Sequence, residues 1–118
     1  MSNPEKLARI FKVLSVETRV RMIDLIKRRS LCVNALARAL EISPAAVSQH
    51  LRVLRNADIV TAEKRGYFVH YKVNEAMLAK WKEAAESLLK TNRAKIGHPC
   101  VANKKVQKRR RPSERGNP

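Results

Sequence analysis

The chain has 118 residues, of which 26 are Lys or Arg and 10 are Asp or Glu, giving a formal net charge of +16 at pH 7. That length holds one domain with a modest core, and that charge points to a polyanionic partner, nucleic acid before an anionic membrane surface. No stretch is apolar for long enough to span a bilayer, no secretory-type apolar run follows Met1, and two cysteines make no disulfide framework, so a cytoplasmic protein without a membrane partner is expected.

Leu7, Ile10, Phe11 and Leu14 recur at helical spacing and predict a short first helix. Ser15 offers a cap for a second helix carried by Val20, Ile23 and Ile26. Lys27, Arg28 and Arg29 fall in its last turn, where the helix dipole favours cations. A third helix is expected from about Leu31 to Leu40, with Leu36 and Leu40 as its apolar positions. It must stop near Ser43-Pro44, because the residue before a proline avoids the helical region. Only Glu41-Ile42-Ser43 then separates it from a fourth helix, and two short helices joined so tightly form a helix-turn-helix.

The fourth helix begins with Ser43 as cap and Pro44 at the first helical position, where no N–H is needed. Val47, Leu51 and Leu54 fall at i, i+4 and i+7 and give it one apolar stripe. The opposite face carries Ala45, Ser48, Gln49 and Arg52, with Arg55 at the flank. Such groups read base edges and hold phosphates. An ordinary surface helix would carry Glu/Lys pairs, whereas residues 43–57 contain no acidic residue. His50 turns toward the edge of the stripe, where packing or phosphate bonding is expected ahead of a role as a ligand.

Beyond Ala57 the period changes from 3.6 to 2. Ile59 to Lys64 and Tyr67 to Val73 read as a β-hairpin turning at Arg65-Gly66, the wing of a winged helix. Its cationic tip, Lys64-Arg65-Gly66, either contacts DNA or is a solvated basic turn. Asn74 caps a last helix to about Lys90, along which Leu78, Trp81, Ala85 and Leu88 form a narrow seam. Together with Leu7 and Phe11 that seam either closes a two-fold homodimer or packs within one chain. The expected fold is therefore mostly α with a β-hairpin wing, in the order α-α-α-α-β-β-α, over residues 1–90. Residues 91–118 form a basic tail with nine Lys/Arg and one acidic residue, expected to be disordered alone and to bind phosphates without sequence choice.

Leu-Ser-Val-Glu-Thr-Arg at 14–19, Leu31-Cys32-Val33-Asn34-Ala35-Leu36-Ala37, the run from Ser43 to Leu54, and Lys64-Arg65-Gly66-Tyr67 with Tyr71 together resemble the ArsR/SmtB family of winged-helix repressors. The resemblance covers about residues 5–90. It implies a homodimer on double-stranded, palindromic operator DNA, released by a metal or metalloid ion or by an oxidant or sulfide species. It assigns base contacts to Ser48 and Gln49 first and Ala45 next. Family members often have Gln and Ser where this chain has Pro44 and Ala45, so its base preference should differ, with methyl contact to thymine as a substitute.

The inducer residues depart further from that family. Arsenic-sensing relatives carry Cys-Val-Cys in the third helix, where this chain has Cys32-Val33-Asn34, and zinc-type relatives place Asp and His ligands on the last helix, which here has no His. Cys32 remains, with His98 and Cys100 in the tail. If the tail folds back, Cys32 and Cys100 could take an As(III)-type or soft metal ligand or oxidise to a bridge. With His98 they make a Cys2His set, too few for a closed zinc site. Arg28, Arg29 and Arg38 set Cys32 in a positive field that favours a reactive thiolate. Otherwise Cys32 is a small buried residue and Cys100 an exposed thiol without a role. No cofactor is obligatory. The alternative function is a constitutive basic DNA-binding protein with no effector site. An enzyme is not expected, because Cys-x-x-Cys, His-Glu-x-x-His and a phosphate-binding Gly loop are all missing from the sequence.

Overall fold

Apolar residues at helical spacing decide most of the architecture, because each stripe must be buried against another. The computed structural model describes residues 4–91. The elements follow as α1 (Pro4–Val13), α2 (Glu17–Ile26), β1 (Leu31–Cys32), α3 (Val33–Leu40), α4 (Pro44–Asn56), β2 (Val60–Arg65), β3 (Phe68–Val73) and α5 (Glu75–Leu89). Met22 and Ile26 of α2, Leu36 and Leu40 of α3, and Val47, Leu51 and Leu54 of α4 meet in one core with Ile59, Val60, Val73 and Trp81. Burying each large aliphatic side chain contributes about 1.5–3 kcal/mol, so this cluster sets the orientation of the six elements it joins.

Both helices of the tight pair end the same way. Glu41 after α3 and Asp58 after α4 adopt left-handed backbone, at φ 57° and 62°. The next N–H then reaches back five residues, from Ile42 to the Ala37 carbonyl at 3.2 Å and from Ile59 to the Leu54 carbonyl at 3.1 Å. This is the Schellman ending, and in both cases it drops an isoleucine onto the core. At the start of α4, Ser43 Oγ accepts the Ala46 N–H at 3.1 Å, with Pro44 in the first turn as expected. Asn74 fixes the far corner. Its carbonyl oxygen accepts the Met77 N–H at 3.2 Å to cap α5, its amide donates to the Asp58 carbonyl at 3.0 Å, and its backbone N–H donates to the Ile59 carbonyl at 2.9 Å.

Four local expectations need correction. The sheet has three antiparallel strands in the order β1-β3-β2, because Leu31 and Cys32 are not helical but pair with Tyr71 and His70. Cys32 is thus the last residue of a strand and the extended residue ahead of α3, which begins at Val33. The hairpin turn is Gly66-Tyr67, since Arg65 pairs with Phe68. Gly66 has φ +64° and Tyr67 is not in the positive region, the pattern of a II′ turn. Ser15 does not cap α2; its hydroxyl donates to the Lys12 carbonyl at 2.7 Å, and α2 starts behind Val16. Finally, α2 stops at Ile26, so Lys27 to Arg29 follow the helix, with Lys27 and Arg28 paired to Asp24 at 3.5 and 3.6 Å.

The two faces of α4 should respond oppositely to truncation. Leu54→Ala, at a residue with no exposed surface, should lower the unfolding free energy by about 2–5 kcal/mol in urea titrations. Gln49→Ala on the exposed face should change it by no more than about 0.5 kcal/mol.

Candidate nucleic-acid interface

With its back in the core, α4 turns Ala45, Ser48, Gln49, Arg52, Arg55 and Asn56 to solvent, while His50 is half-buried at the edge. Neither the Arg52 nor the Arg55 guanidinium has an ion pair or hydrogen bond among the described residues. Both guanidiniums line a cleft of about 410 Å³ between α4 and the sheet, whose other walls are Ser48, Leu51, Asn56 and Tyr71. Unpaired guanidiniums beside a phenol, a hydroxyl and an amide make a donor-rich seat for a phosphate.

Two of those residues escape a reading of the sequence. Asn56 is legible in principle, since it stands i+8 from Ser48 and i+4 from Arg52 on the same helix face. Tyr71 is not, because it reaches the cleft from β3 through strand pairing. On the wing, Arg65 and Lys72 share Glu63 at 3.5 and 3.7 Å. Lys64 has no such partner among the described residues. Tyr67 at the tip is 97% exposed and Phe68 beside it is 56% exposed, so the cationic tip carries two uncovered aromatic rings.

The remaining expected residues divide. Cys32 is a half-buried free thiol opposite His70, but Cys100 and His98, like the rest of the tail from residue 92, lie outside the described residues. Among the described residues no group of three or more His, Cys, Asp or Glu is placed to hold a metal ion. Of the seam residues, Leu7 and Trp81 are buried within the chain, whereas Phe11 and Leu88 are 38% and 57% exposed. These two, with Val20 and Leu89, leave an apolar face on α1, α2 and α5, beside a groove of about 960 Å³ floored by Ile10, Leu14, Leu78 and Ala85. No described helix is long and apolar enough to cross a membrane.

The sequence profile of bacterial regulatory proteins of the arsR family matches residues 17–62, from the start of α2 into β2. The chain is 30% identical to the transcriptional repressor SdpR of Bacillus subtilis over 58% of this chain and 77% of that one. It is 38% identical to the cadmium resistance transcriptional regulatory protein CadC homolog of Staphylococcus aureus, over 62% of this chain and 61% of that protein's length. A solved ArsR-like transcriptional regulator from Rhodococcus superposes with a TM-score of 0.65 at 30% identity, covering 71% of this chain and 77% of the other.

A phosphate in the cleft would be felt in two separable ways. Arg52→Gln should weaken binding to every duplex alike and make the log–log salt slope shallower by about 0.9, one phosphate contact. Tyr71→Phe, which deletes one neutral donor, should weaken binding about fivefold, the worth of a hydrogen bond of ~1 kcal/mol, with the slope unchanged.

Proposed function

The chain belongs to the arsR family of bacterial regulatory proteins, and from that premise we propose that it is a homodimeric transcriptional repressor whose α4 reads operator DNA and which a thiol-reactive inducer releases. The observation that carries this reading is the outward face of α4, exposed, free of acidic residues and backed by a fully buried stripe. Ser48 and Gln49 offer a hydroxyl and an amide to base edges, and the Ala45 methyl suits a thymine methyl. Arg52, Arg55, Lys64 and Arg65 hold phosphates, with His50 at the helix edge. Pairing of the α1–α5 faces in a two-fold dimer would cover Phe11 and Leu88 and set two reader helices for half-sites about 34–36 Å apart.

Release is assigned to Cys32. It sits where β1 runs directly into α3, the partner of the reader helix, and it is tied through His70 to the wing strand. An adduct on its thiol, from a soft metal, a metalloid or an oxidant, would therefore strain both parts of the interface together. Tenfold weaker binding needs only ~1.4 kcal/mol of differential affinity. A contribution from Cys100 and His98 is separable by Cys100→Ser.

Competition against random duplex tests the core of the reading. Operator DNA selected from a random pool should bind ~10³-fold or more tighter than bulk DNA, and Gln49→Ala should erode that ratio. A ratio near one would leave a constitutive binder. Cys32→Ser should keep operator affinity but resist release by thiol reagents; normal release of that variant would move the switch elsewhere. Leu88→Glu should shift the chain to monomer in sedimentation, with operator affinity falling accordingly.

A further inference from the structure

Cys32 and His70 stand directly opposite each other in the β1–β3 pair, and Glu63 stands opposite His70 on β2. Opposed residues of antiparallel strands carry their side chains on one face, with Cβ atoms about 4.5–5.5 Å apart. The row lies on the outer face of the sheet, since the alternate positions, Val60 and Val73, are in the core. It is nonetheless not an ordinary solvated row. Cys32 and His70 are each half-buried, while Glu63, Arg65 and Lys72 around them are exposed. His70 Nδ1 itself is fully buried and has no hydrogen-bond partner, the one such side-chain nitrogen or oxygen among the described residues. Leaving a buried polar atom unpaired is costly, so it asks for an explanation. Glu63 does not supply one, because Arg65 and Lys72 hold its carboxylate at 3.5 and 3.7 Å.

We propose that Cys32 Sγ and His70 Nδ1 form a two-donor site for a soft, closed-shell cation of the Cu(I) class. The proposal rests on the reading of Cys32 as the sensing thiol and supplies its second ligand from the sheet rather than the tail. Thiolate selects soft cations and imidazole suits copper. Structural zinc takes four ligands, which this row does not assemble, whereas a closed-shell monovalent cation is content with two in line. Bonds of about 2.3 Å to sulfur and 2.0 Å to nitrogen, the lengths found in zinc sites, fit between side chains opposed at this spacing. Binding exchanges the thiol proton for the cation and releases that proton to solvent. His70 stays neutral, with its proton on Nε2 and the Nδ1 lone pair given to the metal, and nothing is oxidised or reduced. The product is a clip between the strand that leads into α3 and the strand that carries the wing.

The test uses the reduced full-length chain with Cys100→Ser, titrated with Ag(I) as the probe. Imidazole nitrogen resonances are followed by NMR, and affinity is measured against a competing chelator. One Ag(I) should bind per chain, and the His70 Nδ1 resonance should move while those of His50 and His98 stay. In the same background, His70→Gln should weaken Ag(I) binding tenfold or more, and Cys32→Ser should abolish tight binding. An unmoved His70 resonance at saturation overturns the proposal, as does unchanged affinity in a folded His70→Gln chain. Because the NMR arm leaves His70 in place, misfolding of that variant does not shelter the idea. If Ag(I) binds both residues yet operator DNA stays bound, the site stands and the release mechanism fails. If Cys32→Ser blocks release while the His70 resonance never moves, only the site fails.

Discussion

Everything that faces outward on α4 depends on how its back is seated. Val47, Leu51 and Leu54 are at most 2% exposed, and turning the helix by one residue, about 100°, would pull that stripe from the core and bury Ser48. The two Schellman endings reinforce this from both sides. Ile42 just before α4 and Ile59 just after it are drawn onto the same core, so the helix is held at its ends as well as along its length. The groove-reading role proposed for this surface needs that rigidity, since a guanidinium displaced by an ångström no longer meets the same phosphate.

The sheet joins α4 to the only thiol among the described residues. β1 has two residues, so its ladder to β3 contains few hydrogen bonds, each worth a net ~1 kcal/mol. That is the same scale as the ~1.4 kcal/mol that changes DNA affinity tenfold. A longer strand would resist any adduct on Cys32; no strand at all would leave Cys32 uncoupled from Tyr71 and the wing. Asn74 adds a second tie: its side-chain amide and backbone N–H donate to the Asp58 and Ile59 carbonyls just past α4, while its side-chain oxygen caps α5.

Interactions between near neighbours along the chain were legible. The stripe of α4, the Ser43-Pro44 start, the change of period at the hairpin and the Asn74 cap are all written within a turn or two of sequence, and each appears in the fold. On α2 the expected Ile23 and Ile26 are buried, but Val20 is 46% exposed and Met22 takes its place in the core. What failed was long-range or single-residue in origin. Leu31 and Cys32 continue a helical pattern, and only their distant partners Tyr71 and His70 make them a strand. The hairpin turn shifted by one residue because Gly66 fits the first loop position of a II′ turn as readily as the second of another type. Ser15 can cap forward or bond backward, and the geometry at Val16 chose the latter. For the same reason Tyr71 in the cleft and His70 beside Cys32 were invisible: cross-strand register leaves no local periodicity to read.

Affinity and base choice are carried by different residues on the reader helix, under the proposed reading. Arg52 and Arg55 lie toward its C-terminal half, over the cleft shared with Tyr71, and bind phosphates whatever the sequence. Recognition helices place their N-terminal residues against base edges, and here that end holds Pro44 and Ala45, a ring and a methyl with no side-chain donor. Hydrogen-bond readout is thereby moved one turn inward to Ser48 and Gln49, leaving the leading turn to sense only shape and the thymine methyl. A chain with a net charge of +16 has nonspecific attraction in excess, so its discrimination rests on two polar side chains whose placement the buried stripe of α4 fixes.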